Sequence, residues 1–166
     1  LKEDGMIRDA STKDAGAIAA IYNDYVVHTA ITFEEQEVSV GQMACRIDEV
    51  LSLSLPWLVA EQSGEVVGYA SAGKWKVRSA YRFSVEIAVY VDRDNVGRGL
   101  GSKLYDALFA ALAKRGVHVA IGGIALPNER SIALHEKFGL KKVAHFEEVG
   151  FKFGRWIDVG YWQKTL

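Results

Sequence analysis

The chain has 166 residues, 49% of them hydrophobic, 25% charged and 11% aromatic, and its formal net charge is -1. That length and balance suit one globular domain with a real core and exclude a disordered or fibrous chain. Near-neutral charge leaves no basic footprint for nucleic acid and no polybasic membrane patch, no apolar run approaches the ~20 residues that span a bilayer, and the first residues lack a signal-peptide pattern, so the expected compartment is the cytoplasm.

Leu1 to Gly5 precede Met6 and read as an N-terminal extension, leaving 6–166 as the expected domain. Met6-Ile7-Arg8-Asp9-Ala10 predicts a short strand. Ser11 or Thr12 then offers a cap for a helix with Ala15, Ile18, Ala19 and Tyr22 at its apolar positions. A second helix is expected from about Val40 to Leu53, stopping before Pro56. Within it lies Cys45, the single cysteine, which has no internal disulfide partner and reads as a buried thiol. Trp57 to Glu61, the turn Gln62-Ser63-Gly64-Glu65, and Val66 to Ala72 read as a hairpin, and a strand from about Arg82 to Val91 pairs with it.

The most informative stretch follows. Glu86 and Ile87-Ala88-Val89-Tyr90-Val91 lead through Asp92-Arg93-Asp94-Asn95 into Val96-Gly97-Arg98-Gly99-Leu100-Gly101-Ser102 and an amphipathic helix carrying Leu104, Leu108, Ala111 and Leu112. A helix start has unpaired N–H groups and partial positive charge, and alternating glycines let a phosphate approach them. That helix stops near Arg115-Gly116. Val117 to Ile124 reads as a buried strand, which makes strand, helix, strand a right-handed parallel crossover. A short helix from about Asn128 to Phe138 and an antiparallel hairpin, Val143 to Gly150 with Asp158 to Lys164, complete an α/β (α+β) pattern with a mixed sheet.

Three familiar loops fail here. A Walker loop needs Gly-Lys-Ser/Thr, which Ser102-Lys103-Leu104 does not provide, and a dinucleotide fold needs an acid where the next strand runs into Gly122-Gly123 and Ala125-Leu126-Pro127. A calcium loop beginning at Asp92 would have Val96 at a ligand position and Lys103 where its bidentate glutamate belongs. His28, His118 and His145 have no metal-ligand spacing, and no metal is expected.

The strand and turn with Gly97-Arg98-Gly99-Leu100-Gly101, followed by Asn128, Ala133, Leu134, His135, Lys137, Phe138 and Gly139, resembles the GNAT superfamily of acyl-CoA-dependent N-acetyltransferases. Within it, Leu126-Pro127-Asn128-Glu129, Leu134-His135-Glu136, Asp158-Val159-Gly160-Tyr161-Trp162-Gln163 and Trp75 to Tyr81 are similar to the phosphinothricin and methionine sulfoximine acetyltransferase branch. The resemblance implies a mixed, mostly antiparallel sheet with a parallel crossover at the acetyl-CoA site, and a homodimer. It assigns Ile87 to Val91 to pantetheine and the amides of Val96 to Ser102 to the pyrophosphate, with Asn128 and Lys137 beside them. Two departures stand out: Val96 replaces the usual Arg or Gln, and His135 occupies a slot where many relatives carry tyrosine.

Acetyl transfer to an amine needs a neutral nucleophile, a positioned thioester, donors for the oxyanion and a proton for the leaving thiolate. Glu86, in the otherwise apolar run Val85 to Val89, is the expected base; an ion pair or a solvent-facing strand residue is the alternative. His135 is read either as its partner in deprotonation, as the acid for the thiolate, or as a core residue. The resemblance gives the oxyanion to a main-chain N–H near Val89. Lys74 to Arg82 packs four cations and two aromatics into nine residues. Arg78, Lys76 and Arg82 suit an anionic small molecule, which the resemblance implies to be an amino acid, and Phe33, Trp75 and Tyr81 its side chain, with some of these supplied by a neighbouring subunit. The resemblance implies acetylation of the α-amine of a phosphinothricin- or methionine sulfoximine-like amino acid. The alternatives are another acceptor amine or a non-catalytic acyl-CoA sensor.

Overall fold

The computed structural model describes residues 6–166, so the expected extension at 1–5 lies outside the described residues. Seven strands form one sheet in the order β1-β2-β3-β4-β5-β7-β6. They are β1 Met6–Asp9, β2 Trp57–Gln62, β3 Glu65–Lys74, β4 Ser84–Val91, β5 Val119–Ala125, β6 Lys141–Lys152 and β7 Arg155–Thr165. The helices are α1 Ala15–His28, α2 Val40–Ser52, α3 Leu100–Lys114 and α4 Glu129–Lys137. Every neighbouring pair is antiparallel except β4 and β5, which are joined by α3 as the expected parallel crossover.

Ser63 and Gly64 both take positive φ, 50° and 82°, which matches a two-residue turn to the twist of β2 and β3. The chain enters α1 through a one-turn 3-10 helix, Thr12–Asp14, capped by Ser11 and Asp14 in turn. One face of the sheet packs on α3: Val85 and Ile87 of β4 join Leu100, Leu104, Leu108 and Leu112 in a dry cluster. The other face packs on α1 and α2 through Val59, Tyr69, Ile18, Met43 and Ile47.

Cys45 departs from expectation: its thiol is exposed. Met43 and Ile47 are the residues α2 buries, and a position two residues from each lies about 200° around the helix, on the solvent side. The terminal hairpin is also longer than its hydropathy suggests, because both strands continue to a two-residue turn at Phe153 and Gly154, φ 53° and 71°. The last β6 residues alternate around exposed aromatics, which hides the strand from a burial pattern.

Candidate active site

The site originates where the sheet comes apart. β4 and β5 pair only over Ser84 with Val119, Val85 with Ala120 and Glu86 with Ile121, although β4 runs on to Val91 and β5 to Ala125. Each strand keeps its other neighbour throughout, β3 for β4 and β7 for β5, so a wedge opens between them just past Glu86. The Trp75 N–H bonds to the Ser84 carbonyl and the Asp92 N–H to the Val67 carbonyl, turning even-numbered backbone groups of β4 toward β3. The odd-numbered groups therefore face the wedge. The Val91 carbonyl accepts from the Tyr25 hydroxyl at 2.6 Å, which leaves Val89 presenting both its N–H and its C=O to the opening.

Below the wedge, Arg93–Asn95 form a single 3-10 turn and the chain reaches α3 through Gly97 and Gly99, at φ 84° and 79°. A side chain is strained in that left-handed region, and a Cβ at either glycine would meet nothing within 4 Å, so the backbone is bare where a ligand approaches. The first intrahelical donor is the Lys103 N–H, bonded to the Gly99 carbonyl, so the amides of Leu100, Gly101 and Ser102 precede the ladder. These groups line a cavity of about 660 Å³ that also reaches Val89, Tyr90, Val91, Val96, Asn128 and Arg130. Asn128 caps α4, accepting from the Ser131 N–H, and Lys137 donates to the Ser102 hydroxyl at 2.9 Å. Arg98 turns aside to the Asn95 carboxamide and is not among the lining residues.

A second cavity of about 320 Å³ adjoins the first through Ile31, Val89, Tyr90, Asn128 and Ser131. Glu86, Ile87, Ala88, Phe33, Tyr161, Tyr105 and His135 line it. Glu86 and His135 therefore share a cavity but not a side of the sheet. A Cβ on Gly123 would lie 3.4 Å from Glu86 Oε1 and 3.1 Å from the Tyr161 ring, whereas one on Gly122 would meet the His135 ring. Adjacent strand residues point to opposite faces, so the carboxylate and the imidazole flank the wedge from opposite sides.

Glu86 keeps access to solvent at the cavity mouth, yet the protein crowding its carboxyl raises its pKa above the ordinary value, with Lys76 pulling the other way. His135 is buried. Its Nδ1 lies 2.7 Å from the Ser131 carbonyl, an obligate acceptor, so Nδ1 carries the hydrogen and Nε2 accepts from the Tyr105 hydroxyl at 3.0 Å. Burial lowers the His135 pKa and raises that of Tyr105, which keeps both neutral.

Of the acceptor residues expected from sequence, Phe33 lines the cavity. Trp75 reaches it indirectly, its ring 5.5 Å from that of Tyr161, and Lys76 lies over Trp75 at 4.8 Å, near Glu86. Arg78, Tyr81 and Arg82 do not line it: they belong to an exposed one-turn helix, where Arg82 stacks on Phe83. Tyr161 and Tyr105 were missed. Tyr161 is placed by register, opposite Gly123, and Tyr105 hides among the apolar positions of α3. Among the described residues, no group of three or more His, Cys, Asp and Glu is placed to hold a metal ion, and no helix is long and apolar enough to cross a membrane.

Known proteins match this architecture. Residues 7–160 match the model of the acetyltransferase (GNAT) domain. An L-methionine sulfoximine/L-methionine sulfone acetyltransferase of Salmonella typhimurium is 39% identical over 96% of this chain and 94% of its own. A phosphinothricin N-acetyltransferase of Streptomyces viridochromogenes is 38% identical over 96% of this chain and 87% of its own. The crystal structure of a Sinorhizobium meliloti phosphinothricin acetyltransferase in complex with acetyl-CoA superposes with a TM-score of 0.95 at 34% identity, covering 98% of this chain and 88% of that one. The split sheet, the bare glycine turn and these matches along nearly the whole chain have one meaning: it belongs to the GNAT acetyltransferase family.

Proposed function

We propose that the protein is an acetyl-CoA-dependent N-acetyltransferase acting on the α-amine of a small amino acid of the methionine sulfoximine, methionine sulfone or phosphinothricin type. The observation that carries this reading is the wedge, which joins the glycine-turn cavity to the one holding Glu86. Acetyl-CoA supplies the activated acetyl group as a thioester. The residues present fit it: α3 amides with left-handed glycines for a pyrophosphate, and an open β4 edge for an amide-bearing arm.

On the acceptor face, Glu86 takes the proton of the incoming amine, for which a raised carboxyl pKa is suited. The Val89 N–H faces the wedge as the donor for a carbonyl oxygen gaining negative charge. On the opposite face, the Tyr105 hydroxyl, oriented by its 3.0 Å bond to His135 Nε2, gives its proton to the leaving thiolate, and the two residues together form the thiol-side acid. This favours His135 as part of the acid over His135 as Glu86's partner, because the two stand on different sides of the sheet.

Two copies complete the assembly in this reading. Arg78, Tyr81 and Arg82, remote from their own cavity, serve a neighbour, and exposed Phe151, Phe153 and Trp156 give that contact an apolar surface. The enzyme acts in the cytoplasm without a metal.

Thiol release from acetyl-CoA, measured over methionine sulfoximine, methionine sulfone, phosphinothricin, polyamines and peptide N-termini, tests the proposal. The amino acids are expected to be preferred. Glu86→Gln should lower kcat by about 10²–10⁴-fold with coenzyme affinity unchanged. Tight coenzyme binding without thiol release from any amine overturns the enzyme, and a better peptide or polyamine overturns the acceptor.

A further inference from the structure

The end of β6 touches the acceptor side of the cavity in a way the chemistry above does not use. β6 pairs with β7 from Lys141 to Phe146 with one register shift at Val143, then Glu147, Glu148 and Val149 stand opposite the single Asp158 before pairing resumes at Gly150 with Ile157. Asp158 pins this bulge: its Oδ1 accepts from the Glu148 N–H at 2.8 Å and its Oδ2 from His145 Nε2 at 2.7 Å. Glu148 is left at φ 48°, a cost that a held bulge sustains. Bulges re-aim the strand beyond them, and here the re-aimed residues are Gly150 and Lys152.

Lys152 is 2% exposed, a rare state for a lysine, and its ammonium does no chemistry. It donates to the Val26 carbonyl at 2.7 Å and the Thr32 carbonyl at 2.9 Å, 126 and 120 residues away in sequence. The first bond reaches the last turn of α1, and the second reaches the loop that carries Ile31, Thr32 and Phe33 into the cavity wall. Gly150 holds the same loop from two residues away: a Cβ there would lie 3.0 Å from Phe33 Cδ2 and closer to the ring edge, so the phenyl ring rests on the bare backbone. The far side of Thr32 is fixed by the Tyr22 hydroxyl at 2.7 Å, and Tyr22 also bonds the Glu34 carboxylate.

We propose that Gly150 and Lys152 form a clamp that positions the Ile31–Phe33 wall and thereby selects acceptor side chains. This rests on the amino-acid acceptor reading. The glycine turn and α3 make none of these contacts; Thr32 and Phe33 line the Glu86 cavity alone, while Ile31 borders both cavities, so the clamp acts chiefly on the acceptor. Lys152 and Gly150 are positioning residues, not catalytic ones. A change in a pocket wall of the size of one methylene shifts selectivity by about 10–200-fold, and the Phe33 ring offers such a change.

The test is steady-state kinetics of Lys152→Met and Gly150→Ala, each beside wild type, with methionine sulfone and phosphinothricin as acceptors and acetyl-CoA varied separately. Lys152→Met strands two buried carbonyls and should raise acceptor KM about tenfold, well beyond any change in the KM for acetyl-CoA. Gly150→Ala, which keeps the lysine, should change the ratio of kcat/KM between the two acceptors by about tenfold. Hydrogen exchange should rise at 29–34 in Lys152→Met and stay level in α3. Equal changes in both KM values, or wild-type acceptor kinetics and selectivity in Gly150→Ala, overturn the clamp. If Lys152→Met does not fold, Gly150→Ala decides. Wild type inactive with both amino acids overturns the acceptor reading first, and the clamp falls with it.

Discussion

Gly122→Ala adds one methyl group and should cost more than most deletions in this chain. The new Cβ would stand 2.5 Å from His135 Cδ2 and closer to Nε2, inside any real carbon contact. His135 has nowhere to retreat: it is 4% exposed, bonded at Nδ1 to the Ser131 carbonyl and at Nε2 to Tyr105, with the Tyr105 ring set edge-on at 5.3 Å. Overpacking of this kind costs about 1–3 kcal/mol, and a Tyr105 hydroxyl left buried without its acceptor costs about 1–3 more, so the total is roughly 2–6 kcal/mol. For a domain of this size that is a fall in Tm of roughly 4–24 °C. The control is Gly16→Ala in α1, where nothing lies within 4 Å and the same methyl group should stabilise by roughly 0.5–1 kcal/mol. Calorimetry at neutral pH, with kcat measured at saturating coenzyme, reads both. A Gly122→Ala protein within about 2 °C of wild type and with unchanged kcat would refute the rigid imidazole and its part in the thiol-side acid.

Three further outcomes are expected at Glu86 and the glycine turn. Lys76 lowers the Glu86 pKa that desolvation raises, so Lys76→Met should move the acidic limb of the kcat/KM profile to higher pH; a limb that stays or moves down means Glu86 is not the titrating base. With its folded pKa raised, Glu86 destabilises the protein as pH climbs from the ordinary carboxylate range through the raised value, so Glu86→Gln should melt above wild type at neutral pH and with it at low pH. Gly99→Ala forces a side chain to φ 79°, a strain of about 1–2 kcal/mol at the phosphate turn. It should raise the KM for acetyl-CoA by about tenfold with acceptor KM unaltered, and an unaltered coenzyme KM in initial-rate assays would remove the turn from the donor site.

The donor half of the site was legible in sequence because its determinants are consecutive: strand, glycine turn and helix start are one continuous run from Glu86 to Leu104. The acceptor half was not, because it is assembled by register. Tyr161 meets Glu86 only because β7 pairs Tyr161 with Gly123, and the bulge at Glu148 decides which β6 residues reach Phe33. Charge clustering located the segment without separating its members, for a related reason. Lys74 to Arg82 is dense in cations, but a 3-10 turn carries Arg78 to Arg82 away from the cavity and leaves Lys76 as the cation that Glu86 feels. Cys45 shows the limit of composition: a thiol's burial depends on which side of the helix it takes.

The wedge also makes the protein mechanically two-part. Strands β1 to β4 and strands β5, β7 and β6 are joined in the sheet by three residue pairs, with α3 and the Lys152 and Gly150 contacts to α1 and its loop as bridges outside it. In the proposed reading, a donor seated along the free β4 edge would serve as an interim eighth strand, and the coenzyme would be mortar between the halves as well as a reagent. At one hundred times its Kd such a ligand adds about 2.7 kcal/mol to the folded state. Heat or protease resistance in a cell would therefore follow its supply of acetyl-CoA, and the abundance of the enzyme would report on the metabolite it consumes.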